Sequence, residues 1–363
     1  MKIARTPRGE KSIGNARSRR HLIQIFTIFL LPLLILTGAP ADAAEYPKRT
    51  LRLAHFGIKA FVQSGVDQWW ADEIERRSGG KIKIRIFWAG SGGKPKEILS
   101  LVGSGAVELG ATPPAYYPNE LPLLSAPNNL PLTFTSNKDA FTIITELPKK
   151  IPAVAAELKR NGVVPLFFHT LNGYSPLCTK PVAKMADWKG LKIRSYGPFQ
   201  PVMWKSIGAV GVVIFPAEIY EGLQRGRADC GYFSADLFVA LKLYEVAKYL
   251  STANFGPNAT WPIWINRKIW LNEFNDDTRS LFRNVSAEAA QRSLRLLKKA
   301  EIDGIAKMKA NGVKIVKFTE MSKLRARVPD MIKVWIKQMD AQGLGREARQ
   351  VADFWRKRQA ELD

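Results

Sequence analysis

The stretch GGKIKIRIFWAGSGGKPKEILSLVGSGAVELGA, residues Gly79–Ala111, decides the fold class. Ile82, Ile84 and Ile86 alternate with Lys81, Lys83 and Arg85, the period of a strand with its apolar face inward. A glycine-rich loop follows, and Pro95 stands where a helix through Ile98, Leu101 and Val102 can start. AVELGA then reads as the next strand. Upstream, Leu51, Leu53 and His55 alternate with Arg52, Ala54 and Phe56 in a first strand. Val66, Trp69, Trp70 and Ile74 form one helical stripe that Gly79-Gly80 terminates. The order β-α-β-α-β predicts a mostly parallel sheet with helices on its faces, an α/β fold.

The pattern recurs. A second unit opens near VVPLFFHTLNGYSPLCTK (Val163–Lys180) and continues through LKIRS, a helix over Phe199–Ser206, GVVIFP, a helix over Ala217–Arg225 and a strand near ADCGYFS. A very long helix is expected over Asp277–Asn311, marked by Leu281, Val285, Ala289, Leu294, Leu297, Ile302, Ile305 and Met308. At about 1.5 Å per residue it can reach across both units. VKIVKF and two helices close the chain. The expected organisation is residues 1–44 as a leader, 45–170 and 171–255 as the main parts of two α/β domains, and 256–363 as returning segments.

The leader is set apart by composition. Seven basic residues from Lys2 to Arg20 precede the apolar run LIQIFTIFLLPLLIL (Leu22–Leu36), and Ala41-Asp42-Ala43 is a cleavage pattern. SRRHLIQ also resembles a twin-arginine export signal. Export to the periplasm with cleavage near Ala43-Ala44 is therefore expected. The chain is 46% hydrophobic and 24% charged, which demands a packed core. Its net charge is +23, of which about +18 remains once the leader's seven basic and two acidic residues are set aside. That balance favours anionic ligands. The cations are scattered, so nucleic acid is not an expected partner. Cys178 and Cys230 can pair in an oxidising compartment or stand as two small buried residues. Two cysteines with His55 and His169 have no metal-ligand spacing, so neither a metal nor a cofactor is expected. AGSGGKP lacks the spacing of a phosphate loop, and no nucleophile or zinc-protease motif occurs. The chain does not read as an enzyme.

KGLKIRSYG (Lys189–Gly197) poses the functional question. Leu191 and Ile193 point one way and Lys192 and Arg194 the other, and the strand ends in a Gly-Pro turn. Arg194 is either a solvated charge at a strand end or an anion anchor at a cleft, where open α/β sheets bind ligands.

The phrase GGKIKIRIFWAGSGGKPKEILSLVGSGAVELGATPPAYYPNELP resembles the first-domain signature of the solute receptors of tripartite ATP-independent periplasmic (TRAP) transporters. DWKGLKIRSYG, IGAVGVVIFPAEIYEGLQRGRADCGY, LYEVAKYL and WINRKIWLNEF are similar to further segments of that family. The resemblance covers nearly the whole mature chain. It implies a two-domain periplasmic binding protein with strands crossing a hinge and a long helix spanning both domains. It also implies that Arg194 holds a ligand carboxylate through two parallel hydrogen bonds, suited to a planar, permanently charged fork.

The departures shape the expected ligand. A second arginine of the family's acidic-sugar receptors is matched by Tyr174, an acidic contact by Pro113, an asparagine by Phe233, and a residue after the first strand by Phe56. The expected site is Arg194 on the carboxylate, Tyr174 and Ser234 as hydrogen-bonding groups, and Phe56, Tyr116, Phe215 and Phe233 over the ligand body, with Thr112 in the same set. Tyr117, Trp261 and Trp264 are further aromatic candidates. Such a pocket favours a monocarboxylate with an apolar or aromatic body; a C4-dicarboxylate would need Lys94 or a surface lysine. The implied partners are a small organic acid and a pair of integral membrane subunits, with the receptor a monomer. A receptor for an ATP-driven importer or a sensor is the alternative, and a secreted enzyme or polyanion-binding protein a distant third.

Overall fold

The structure, a computed structural model, describes residues 45–362; the leader and its cleavage site lie outside them. In chain order the first elements are β1 (Arg49–His55), α1 (Val62–Arg77), β2 (Ile82–Phe87), α2 (Ile98–Ser104) and β3 (Leu109–Ala111). There follow α3 (Ala126–Asn129), α4 (Asn137–Lys150), α5 (Pro152–Arg160), β4 (Val163–Leu171), β5 (Ser175–Cys178), β6 (Lys192–Ser195), α6 (Phe199–Ser206) and β7 (Val210–Val213). Next come α7 (Ile219–Gln224), β8 (Cys230–Phe233), α8 (Ala235–Ala240), β9 (Tyr249–Ser251), β10 (Asn258–Asn266) and α9 (Asp276–Ala310). β11 (Lys314–Val316), α10 (Met321–Arg327), α11 (Met331–Ala341) and α12 (Gly345–Ala360) end the chain.

Two sheets result, ordered β2-β1-β3-β10-β4 and β11-β9-β5-β8-β6-β7. β1 pairs parallel with both β2 and β3, as the opening stretch predicts. β10 then enters antiparallel between β3 and β4. No local pattern signals that insertion, because it comes from a segment about 150 residues downstream. Ile82 is buried, but Ile84 and Ile86 are only half-buried, since β2 is the sheet's edge. On α1, Val66, Trp70 and Ile74 are buried, and the Trp70 indole donates to Ser286 Oγ of α9 at 3.0 Å. Trp69 is instead half-exposed beneath the guanidinium of Arg292. The tail holds three helices where two were expected. Pro329 interrupts the run, and Asp330 caps α11 by accepting from Ile332 and Lys333 N–H.

The chain crosses between the sheets three times: from β4 to β5, from β9 to β10, and along α9, which packs on α1 and β4 of one side and α8 of the other. The first two crossings are tied together. Tyr174 N–H donates to Gly256 O at 3.0 Å, and Phe255 N–H to Tyr174 O at 2.9 Å. A side chain at Gly173 would strike Asn254, so the crossing strands approach closely only with glycine there.

Cys178 and Cys230 face each other across β5 and β8 and are disulfide-bonded, 52 residues apart. Closing a loop of that length is worth about 2–4 kcal/mol. Cys178→Ala/Cys230→Ala should lower unfolding stability by about that amount in urea titration, with β5 still paired to β8.

The α8–α9 junction holds two acidic side chains close together, Asp236 and Glu301. A Cβ at Gly304 would lie 2.8 Å from the Ala235 carbonyl carbon, so the two helices touch backbone to backbone. Burial pushes the Glu301 carboxyl up to about 7, and neighbouring Asp236 adds to it; burial also raises Asp236. The folded chain therefore holds the Glu301 proton to higher pH than the unfolded chain does. Its contribution to stability is full below about 4.5 and is lost as pH rises through about 7. Glu301→Gln should flatten the fall in unfolding free energy over that window relative to the wild type.

Candidate functional site

β6 ends on Arg194 and Ser195 at the centre of the molecule. Its parallel neighbours β7 and β8 supply carbonyls from their following residues and ends. Arg194 Nε donates to Ile214 O at 3.1 Å and Nη1 to Tyr232 O at 3.3 Å. The guanidinium lies 4.1 Å from the Phe233 ring centre and 4.6 Å from that of Tyr196. Only 2% of Arg194 is exposed, so the reading as a solvated strand-end charge is excluded. Among the described residues no carboxylate pairs with it. Backbone and rings hold the cation in place, and Arg194 lines a neighbouring cavity.

That cavity has an envelope of about 350 Å³ with about 20 Å³ of freely accessible space. Arg194, Tyr174, Phe233, Phe56, Tyr116 and Pro113 of the expected positions line it. The ring of Tyr116, which follows β3 of the first sheet, meets Phe215 and Tyr196 of the second-sheet side at 5.1 and 6.4 Å. The two sides are therefore closed on one another over the guanidinium. Burial pushes the Tyr116 phenol up to about 12 against the pull of Arg194, so it stays a neutral hydrogen-bonding group.

Other expected residues stand elsewhere. Phe215 backs Tyr116 rather than lining the cavity. Thr112 is buried and donates to Pro95 O at 3.2 Å, and the Tyr117 hydroxyl is tied to the same carbonyl. Trp264 is spent on Thr112 O at 3.1 Å, and Ser234 is buried at the start of α8 beside Asp236. Lys94 is not in the cavity wall.

Trp261, one of the further aromatic candidates, is also in the wall, together with Tyr196, Phe61, Asn128 and Thr260, which the sequence did not single out. Tyr196 could have been found: it lies two residues beyond Arg194, on the same face of an extended chain. Asn128 lies in a stretch with no periodicity and carries no signal.

Trp261 is anchored from behind. Its indole N–H donates to Asp67 Oδ2 at 3.1 Å. His55 Nδ1 accepts from Gly57 N–H, so its Nε2–H donates to the same oxygen at 2.9 Å. His169 Nε2 meets Asp67 Oδ1 at 2.8 Å, and its Nδ1 meets Ser293 Oγ of α9 at 2.8 Å. Against full burial, which opposes ionisation, the charges and hydrogen bonds of His169 and His55 hold the Asp67 carboxyl well below the usual carboxylate range. The two histidines of the described chain thus converge on one carboxylate, whose third partner is the wall of the cavity. Among the described residues no group of histidine, cysteine and acidic side chains is arranged to hold a metal ion.

Comparison with known proteins agrees with this architecture. The chain is 29% identical to a solute-binding protein of Albidiferax ferrireducens over 255 residues, covering 69% of this chain and 74% of that one. It is 24% identical to the 2,3-diketo-L-gulonate-binding periplasmic protein of Escherichia coli over 222 residues, 60% of this chain and 66% of that one. Among solved structures, a marine-metagenome TRAP solute-binding protein specific for pyroglutamate has the same fold, with a TM-score of 0.76 at 23% identity over 86% of this chain and all of that one. A TRAP periplasmic protein of Chromohalobacter salexigens with bound D-glucuronate gives 0.74 at 18% identity over 84% and 99%. The model of the bacterial extracellular solute-binding proteins, family 7 (DctP), matches residues 59–341. This chain belongs to that family.

Proposed function

We propose that the protein is a periplasmic receptor that captures a small monocarboxylate on Arg194 and passes it to the membrane subunits of a TRAP-type transporter. The observation that carries this reading is the buried guanidinium with no protein anion. An isolated buried charge is costly by several kcal/mol, and a carboxylate that fits its free edge removes that cost. Relatives of the same fold carry acids, pyroglutamate and D-glucuronate among them.

The rest of the cavity argues for a compact ligand body. Tyr174 offers a neutral phenol where a second cation would serve a second carboxylate, and Pro113 offers no polar group to a sugar. Phe56, Trp261 and Tyr116 form a mutually edge-packed wall, with Phe56 4.9 Å from Trp261 and 6.0 Å from Tyr116, that suits an apolar or flat ring. Residues 45–170 and 171–255 act as the main parts of two domains, parting and closing at the paired crossings near Tyr174 and Phe255. Closure is the state the membrane partner recognises.

A thermal-shift screen of purified protein against small acids and their amides tests this. A bound acid at about a hundred times its Kd adds about 2.7 kcal/mol and raises the melting temperature. The expected outcome is a shift with at least one acid, none with its amide, and a loss of affinity of about a hundredfold or more in Arg194→Ala. Unchanged affinity in that variant removes Arg194 from the site.

A further inference from the structure

Behind the Arg194 cavity runs a second, polar space with an envelope of about 230 Å³, of which about 10 Å³ is freely accessible in this closed arrangement. Asn128, Tyr174 and Tyr196 line both spaces, so the two are contiguous. We propose that this seam is a second ligand subsite, built around Asn129, which takes the neutral amide end of an acid whose carboxylate rests on Arg194. The inference depends on the Arg194 reading and narrows it to amide-bearing monocarboxylates.

Asn129 carries the argument. It ends α3, is 1% exposed, and lines the seam, yet neither its Nδ2 nor its Oδ1 has a hydrogen-bond partner in the protein. The adjacent Asn128 is its opposite. Its Oδ1 accepts from Ala115 N–H at 3.1 Å and its Nδ2 donates to Ala259 O at 2.6 Å, which makes it a structural brace. A buried amide left with both its donor and its acceptor unused is rare and unfavourable. It calls for a group that also offers both an acceptor and a donor, as a carboxamide does.

The neighbours support a neutral occupant. No charged side chain lines the seam. Gln200 Oε1 is already committed to Tyr196 N–H at 3.1 Å, and the Asn258 amide to the Tyr196 hydroxyl. A second carboxylate would be stranded there, whereas an amide would be matched.

The seam is completed by closure. Gly197, from the second-sheet side, backs onto the Asn129 side chain, where a Cβ would lie 1.8 Å from Oδ1. Gly197 also holds a φ of +61°, which favours glycine independently. Contact between Asn129 and Gly197 thus brings the amide of one side against the turn that follows Arg194 on the other.

The test is isothermal titration of the purified protein with two matched pairs. Succinamate is compared with 4-methylpentanoate, and glutaramate with 5-methylhexanoate; in each pair an isopropyl group replaces the carboxamide. In at least one pair the amide acid should bind about tenfold or more tightly, since the isopropyl partner leaves Asn129 unpaired. Asn129→Ala should bring that ratio to within about twofold, while binding of the isopropyl acid stays dependent on Arg194. Asn129→Asp, which keeps the shape and removes the donor, should also lose the preference and serves if the alanine variant does not fold. No preference in the wild type, or a preference unchanged in both variants, overturns the subsite and leaves the seam to water. If acids bind through Arg194 without amide discrimination, only the subsite falls. If no acid binds and Arg194→Ala changes nothing, the receptor reading falls with it.

Discussion

A buried guanidinium without a protein counter-ion organises this molecule. Arg194 is fixed by two backbone carbonyls and two aromatic faces, which restrain its position without neutralising its charge. Cation–π contacts are worth about 0.5–2 kcal/mol each, well short of the desolvation penalty of an ion in a protein interior. Among the described residues its charge therefore has no carboxylate partner, the observation on which the proposed anion site rests. In the proposed receptor, closure of the two sides would deepen the burial and strengthen the pairing together, because both follow from excluding water.

Around that charge the site is aromatic and rigid. Trp261 cannot turn freely, since Asp67 holds its indole N–H, and Asp67 is held in turn by His55 from β1 and His169 from β4. Ser293 carries the network onto α9. The wall of the cavity, strands β1, β4 and β10 of the first sheet and the spanning helix are therefore one hydrogen-bonded unit. A fully satisfied buried polar network of this kind specifies one arrangement of its members. The hinge of the proposed receptor is elsewhere, at the short paired crossings of Tyr174 and Phe255.

The family accommodates many acids on one fold, and the contrast between scaffold and site explains how. Solved relatives of 18–23% identity keep the architecture. The residues that line the Arg194 cavity come from distant segments, among them the ends of β1, β3, β4, β6 and β8 and the first half of β10.

Local sequence determined much of this protein. Alternating and 3.6-period patterns placed β1, α1, β2 and β3, and the same logic placed α6, β8 and α9 to within a few residues, because strand and helix periodicities are properties of consecutive side chains. The choice of Arg194 as the residue to watch also came from sequence, through its place at a strand end before a turn and its family resemblance. Tertiary structure alone decided the rest. It inserted β10 antiparallel beside β3, joined Cys178 to Cys230, and brought His55, Asp67, His169 and Trp261 together from positions up to 206 residues apart. It set Thr112, Trp264 and Phe215 behind the cavity wall and put Asn129 against Gly197. Each of those outcomes depends on which distant surfaces meet, and no window of consecutive residues contains that information.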